Sequence, residues 1–169
     1  MHVSGLLIIG ETGKGKTPLT WLIASLASEL VSEVVVVDFA PEKGGIGSRL
    51  KAIPGARIYR PTGLRAPRLE SGGDCKLMWN FARSNALKTT RILDYVAENP
   101  GQVIVVNDAT IHTHAGDFGA LYKALTRHSV AIVNAYYGDA LRDRCGLSTI
   151  ERRSVAILGE VLGRIWVAR

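Results

Sequence analysis

The chain has 169 residues, 47% of them hydrophobic, and its 21 lysines and arginines outnumber 15 aspartates and glutamates for a formal net charge of +6. That length and composition suit one compact domain with a buried core and exclude a disordered chain. Apolar runs stop at about six to eight residues, short of the roughly 20 that a membrane-spanning helix needs. The N-terminus lacks a basic start, apolar core and small-residue cleavage site, which argues against secretion. Cys75 and Cys145 are too few and too far apart for a disulfide framework or a CxxC metal site. The sequence therefore predicts two free thiols in a cytoplasmic protein.

"GLLIIG" (5–10) is a short apolar run closed by glycine, the pattern of a strand buried on both faces. "GETGKGKT" (10–17) follows as a glycine loop. In "PLTWLIASLASEL", Leu19, Leu22, Ile23, Leu26 and Leu30 recur at helical spacing, with Pro18 tolerated in the first turn. "EVVVVDFA" (33–40) predicts a second buried strand ending at Asp38. "GARIYRP" (55–61) predicts a weaker third strand, and "TGLRAPRLESGGD" reads as a long loop because glycine and proline break it twice. Lys76 to Asn99 carries a helical pattern, one helix or two, stopped by "NPG". "QVIVVND" (102–108) is the next strand, "DFGALYKALTRH" a helix, and "SVAIVNAYYG" begins with a strand ending near Asn134. "STIE" (148–151) fits a capping box ahead of a helix with Val155, Leu158 and Leu162, and "RIWVAR" closes the chain as a strand. Nearly all-apolar strands alternating with helices predict an α/β fold, a three-layer sandwich whose mainly parallel central sheet is flanked by helices. Ligands gather at the carboxyl ends of such strands, which here carry Gly10, Asp38, Asp108 and Asn134.

Gly10, four residues, Gly15, Lys16 and Thr17 satisfy the phosphate-loop pattern. Its glycines let backbone amides converge on phosphate oxygens, the lysine reaches the terminal phosphates, and the hydroxyl ligates magnesium. The whole segment Gly10, Glu11, Thr12, Gly13, Lys14, Gly15, Lys16, Thr17 and Pro18 is the candidate nucleotide cradle, and the helix that starts there adds its amides and dipole. Asp108 stands where a second carboxylate holds magnesium, directly or through water, so Thr17 and Asp108 are the candidate metal ligands. Asp38 sits on a strand that could lie beside the first, and it would share magnesium, position water or activate a hydroxyl. Both aspartates also fit ordinary turn-forming roles.

These residues resemble the phosphate-loop NTPases of the MinD/ParA-type and dethiobiotin-synthetase-like class. "VVVVDFAPEKGGIGSRL" is similar to their second strand, with an Asp followed by a Pro and glycines, and "VIVVND" to their magnesium-site strand. In that class the asparagine ending "AIVN" often contacts the base, which makes Asn134 a candidate for adenine. The resemblance implies the P-loop NTPase fold and, as one assembly, a homodimer. MinD/ParA-type loops carry a signature lysine after the first glycine; here that place is Glu11. "TGKGKT" locally resembles the loop of cobalamin adenosyltransferases, with Pro18 where a second Thr commonly stands. The GTPase base motif Asn-Lys-x-Asp is absent, which favours ATP over GTP.

Other signals are weaker. His112 and His114 lie two apart in "DATIHTHAGD", read as a loop, where they would serve a metal, a substrate or only the loop itself. Arg60, Arg65 and Arg68 would close over nucleotide or an anionic small molecule, or simply be solvated. Arg57 joins them in a basic patch with only Tyr59 as an aromatic, which disfavours nucleic acid as partner. Tyr136 and Tyr137 would line a base pocket or the core. The sequence thus points to a Mg-ATP-binding protein, an ATPase or an ATP-dependent phosphoryl- or nucleotidyl-transfer enzyme with Lys16, Asp38 and Asp108 as catalytic candidates. A nucleotide-dependent regulatory or partner-binding switch with little turnover is the alternative.

Overall fold

The computed structural model describes residues 3–41 and 48–168. In chain order the elements are β1 (Gly5–Gly10), α1 (Lys16–Leu30), β2 (Val34–Asp38), β3 (Arg57–Tyr59), α2 (Pro67–Glu70), α3 (Cys75–Glu98), β4 (Val103–Asn107), α4 (Thr110–Thr113), α5 (Phe118–Thr126), β5 (Val130–Tyr136), α6 (Leu147–Leu162) and β6 (Ile165–Ala168). The six strands form one sheet in the order β3-β2-β4-β5-β1-β6, and every neighbouring pair is parallel. Helices cover both faces, so the architecture is the α/β three-layer sandwich expected of continuous apolar strands. None of the helices among the described residues is long and apolar enough to cross a membrane.

Alternation along each strand sends its side chains to opposite layers. Leu7, Ile9, Val35, Val37, Ile104 and Val106 pack with Leu93 and Val96 of α3, Leu121 and Leu125 of α5, and Leu158 and Leu162 of α6. Ile8, Val34, Val36, Val103, Val105 and Ile132 face α1 together with Leu50 and Ile53. The helix over 16–30 forms as expected, but its buried line is Thr20 and Ala24, while Leu22, Leu26 and Leu30 are exposed. Small side chains bring α1 close to the sheet, and Leu19, Trp21, Ile23 and Ala27 pack partly buried beside that contact.

Several local expectations are corrected. β2 does not lie beside β1, because β4 and β5 stand between them. The long loop after β3 contains α2, and the histidine segment after β4 contains α4; each helix spans four residues, too few to leave a periodic signal. β5 runs on to Tyr136, which puts Asn134 inside the strand. α6 starts at Leu147 after Gly146, so "STIE" is not a capping box: the Ser148 hydroxyl donates to Asp143 at 2.5 Å and Glu151 points elsewhere.

Cys75 and Cys145 are joined in a disulfide with Cα atoms 5.2 Å apart, and the free thiols expected from the sequence do not exist. Their separation of 70 residues hid the pairing. Only the packing of α3 against the chain ahead of α6 brings them together.

Candidate functional site

A cavity of about 330 Å³ opens at the carboxyl end of the sheet, with the glycine loop as one wall. Gly10 ends β1 where a Cβ would stand 2.7 Å from the Ala168 carbonyl oxygen of β6, so no other residue fits. Gly13 and Gly15 have φ of 71° and 78°, the left-handed region that glycine enters without strain. Gly15 is also the N-cap of α1, and no side chain caps the helix there. The first-turn amides are thereby left facing the cavity, with the positive end of the helix dipole behind them. Thr12, Gly13, Lys14, Gly15, Lys16, Thr17 and Pro18 all line the cavity.

Lys16 Nζ donates to the Glu11 carbonyl oxygen at 2.7 Å, curling the loop on itself. Burial lowers the affinity of this ammonium for its proton, against the pull of Asp108, Glu11 and Glu151. Glu11 itself turns away from the cavity. Its carboxylate accepts from the amides of Asp139 at 2.8 Å, Ala140 at 3.1 Å and Thr12 at 3.1 Å. Burial alone would raise this carboxyl, but the Tyr136 hydroxyl and those amides hold it at about 2. Glu11 is thus a loop anchor.

The opposite wall is a chain of buried charges. Arg68, from α2, donates to Asp143 at 3.2 Å and to Glu151 at 2.9 Å, and the other oxygen of Glu151 meets His114 Nε2 at 2.8 Å. Arg68, His114 and Glu151 all line the cavity, and the Arg68 guanidinium lies 5.7 Å from the Tyr136 ring centre. Asp143 also accepts from the amides of Cys145, Leu147 and Ser148. Although burial opposes it, the Ser148 hydroxyl, those amides and Arg68 keep this carboxyl down at about 2.

Asp108 follows β4 and lines the cavity with a φ of 58°, which no other described non-glycine residue shares in sign. Left-handed backbone costs a non-glycine residue about 1–2 kcal/mol, and here Asn134 Oδ1 holds it by accepting the Asp108 amide at 2.7 Å. Among the described residues its carboxylate receives the Thr110 hydroxyl alone, at 2.7 Å. Burial pushes the carboxyl up, against Thr110, His114 and Lys16. The Thr17 hydroxyl and the Asp108 carboxylate, oxygen donors of the kind a hard cation takes, line the same cavity. Among the described residues no cluster of three or more His, Cys, Asp or Glu side chains is placed for a metal ion, and the remaining oxygens would come from ligand and water.

The other expected residues fall elsewhere. Asp38 does not line the cavity; its carboxylate accepts from the amides of Ala40 at 3.3 Å and Leu50 at 2.9 Å, from Arg60 Nε at 2.9 Å and from Asn107 Nδ2 at 2.7 Å. Asn134 borders the cavity, but its Nδ2 donates to Thr20 Oγ1 at 2.8 Å and to Asn107 Oδ1 at 2.6 Å. Its amide is engaged by the protein throughout. Arg65 pairs with Glu70 and stacks over Phe81, leaving Arg68 as the arginine of that loop at the cavity. His112 is buried between Thr89 Oγ1 at 2.7 Å and the Asp117 carbonyl at 3.0 Å, away from His114. Tyr136 lines the cavity, whereas Tyr137 stacks with Arg152 outside it.

Glu151, Asp143, Asn107 and Thr20 belong to the site without any sequence expectation of it. For Asn107 and Thr20 a signal exists: each is a polar residue where the pattern calls for an apolar one. Neither a protein-family model nor a curated protein matches the chain.

Proposed function

We propose that the chain is a Mg-ATP-binding P-loop protein that catalyses ATP hydrolysis or an ATP-dependent phosphoryl or nucleotidyl transfer. The observation that carries this reading is the position of Lys16 and the free first-turn amides of α1 across a cavity from Asp108 and Arg68. In this reading the amides of Gly13 to Thr17 and the Lys16 ammonium bind the phosphates, Thr17 and Asp108 hold magnesium, and Arg68 faces the terminal phosphate from the far wall. Magnesium bound there neutralises charge on the phosphate oxygens. Catalysis is then chiefly electrostatic, from groups already fixed before the ligand arrives. Asp38 and Asn134 support the site by tying β2, β4, β5 and α1 together at its floor.

Calorimetric titration of ATP and GTP, with and without magnesium, tests this. A lysine–phosphate contact is worth about 1.5–3 kcal/mol, so Lys16→Ala should weaken Mg-ATP binding by about tenfold to a hundredfold. Wild-type protein that is folded and binds neither nucleotide overturns the proposal. Tight binding without turnover, alone or with small-molecule acceptors, moves the reading to the nucleotide-dependent switch.

A further inference from the structure

The segment 138–146, between β5 and α6, contains no helix or strand yet grips both walls of the cavity. Its amides at Asp139 and Ala140 hold the Glu11 carboxylate that anchors the glycine loop. Three residues past Ala140, Asp143 holds Arg68 and organises the start of α6. Gly138 is required for this grip, since a Cβ there would fall 2.2 Å from Glu11 Oε2. The Cys75–Cys145 bond ties the segment covalently to α3, joined by the Trp79 indole donating to the Cys145 carbonyl at 3.0 Å. Both cysteines are half-buried, and Cys145 borders a second open cavity of about 480 Å³ that shares Arg68, Leu69 and Leu141 with the first.

Resting on the function proposed above, we propose that the Cys75–Cys145 disulfide is a redox control of the phosphate site: the oxidised chain keeps the glycine loop and Arg68 preorganised for nucleotide, and reduction lowers affinity. The reductant is a dithiol. One of its thiolates attacks a cystine sulfur, the S–S bond breaks and one cysteine leaves as thiolate; the reagent's second thiolate then attacks the reagent sulfur of the mixed disulfide and releases the other cysteine. Two electrons and two protons pass to Cys75 and Cys145, and the reagent leaves as its own disulfide. The segment 138–146 keeps its hydrogen bonds to Glu11, Arg68 and Trp79 but loses its covalent link to α3, and the anchors at Glu11 and Arg68 lose that shared support. Ordering that the bond supplied in advance must now be supplied by binding.

Mg-ATP affinity is measured by calorimetry on oxidised protein, on protein reduced with dithiothreitol, after reoxidation, and on the Cys75→Ser/Cys145→Ser variant. Thiol titration and far-ultraviolet circular dichroism accompany each state. About tenfold weaker binding on reduction, restored by reoxidation and matched by the double variant, is the expected result. Equal affinity in a reduced, folded chain overturns the proposal and leaves the bond a stabilising link. Loss of the fold on reduction overturns it too. Should neither state bind Mg-ATP, the proposed function fails by itself, and hydrogen exchange decides the coupling: faster exchange at residues 11–16 and 139–141 on reduction supports it, and unchanged exchange overturns it.

Discussion

Asp38 and Asp108 close two strands of nearly the same composition, "VVVVD" and "VIVVND", yet their surroundings are opposite. Asp38 pairs in register with Asn107, inside the sheet, where four donors surround it. Asp108 lies one residue beyond β4 in a left-handed conformation, with the Thr110 hydroxyl as its one donor among the described residues and the cavity in front of it. One step along a strand reverses the direction of the side chain. A carboxylate at a strand end therefore carries no function until its surroundings are known: Asp38 is enclosed by donors and holds the fold, whereas Asp108 faces the cavity.

The largest test of that contrast is Asp38→Ala. It removes a shared acceptor from two amides, Arg60 and Asn107, although Arg60 keeps the Leu50 carbonyl and Asn107 that of Ser48; leaving buried donors unsatisfied costs about 1–3 kcal/mol. Chemical denaturation should show that loss, and a change below about 1 kcal/mol would erase the distinction. Asp108→Asn should behave differently: burial already disfavours its charge, so stability stays within about 1 kcal/mol of wild type or rises. Magnesium dependence of nucleotide binding disappears in the same variant, and calorimetry with and without the ion reads it. A smaller effect comes from acid. Glu11 and Asp143, held near 2, are ionised in the folded chain at a pH where they would be protonated when unfolded. Their contribution is complete above the ordinary carboxylate range and fades as pH falls from about 4.5 towards 2. Loop 138–146 should exchange its amides faster across that window, before the sheet does; simultaneous loss would show that the two regions are not separable.

The amino-acid sequence alone determined the layers and the loop. Continuous valine runs allow only a sheet covered on both faces, and the glycines of residues 10–15 specify a tight turn into a helix, because these preferences are local. Tertiary structure decided everything that depends on which strands are neighbours. Insertion of β4 and β5 between β1 and β2 removed Asp38 from the cavity and made it a floor support instead. Glu151 reads as a cap in sequence and becomes the bridge between Arg68 and His114, since its partners lie 83 and 37 residues away. The disulfide is the same case: two half-buried sulfurs without a local motif, paired because helix packing places their backbones 5.2 Å apart. Short-range chemistry is written in neighbouring residues, whereas a shared register or a bond across 70 residues exists only once the chain has folded.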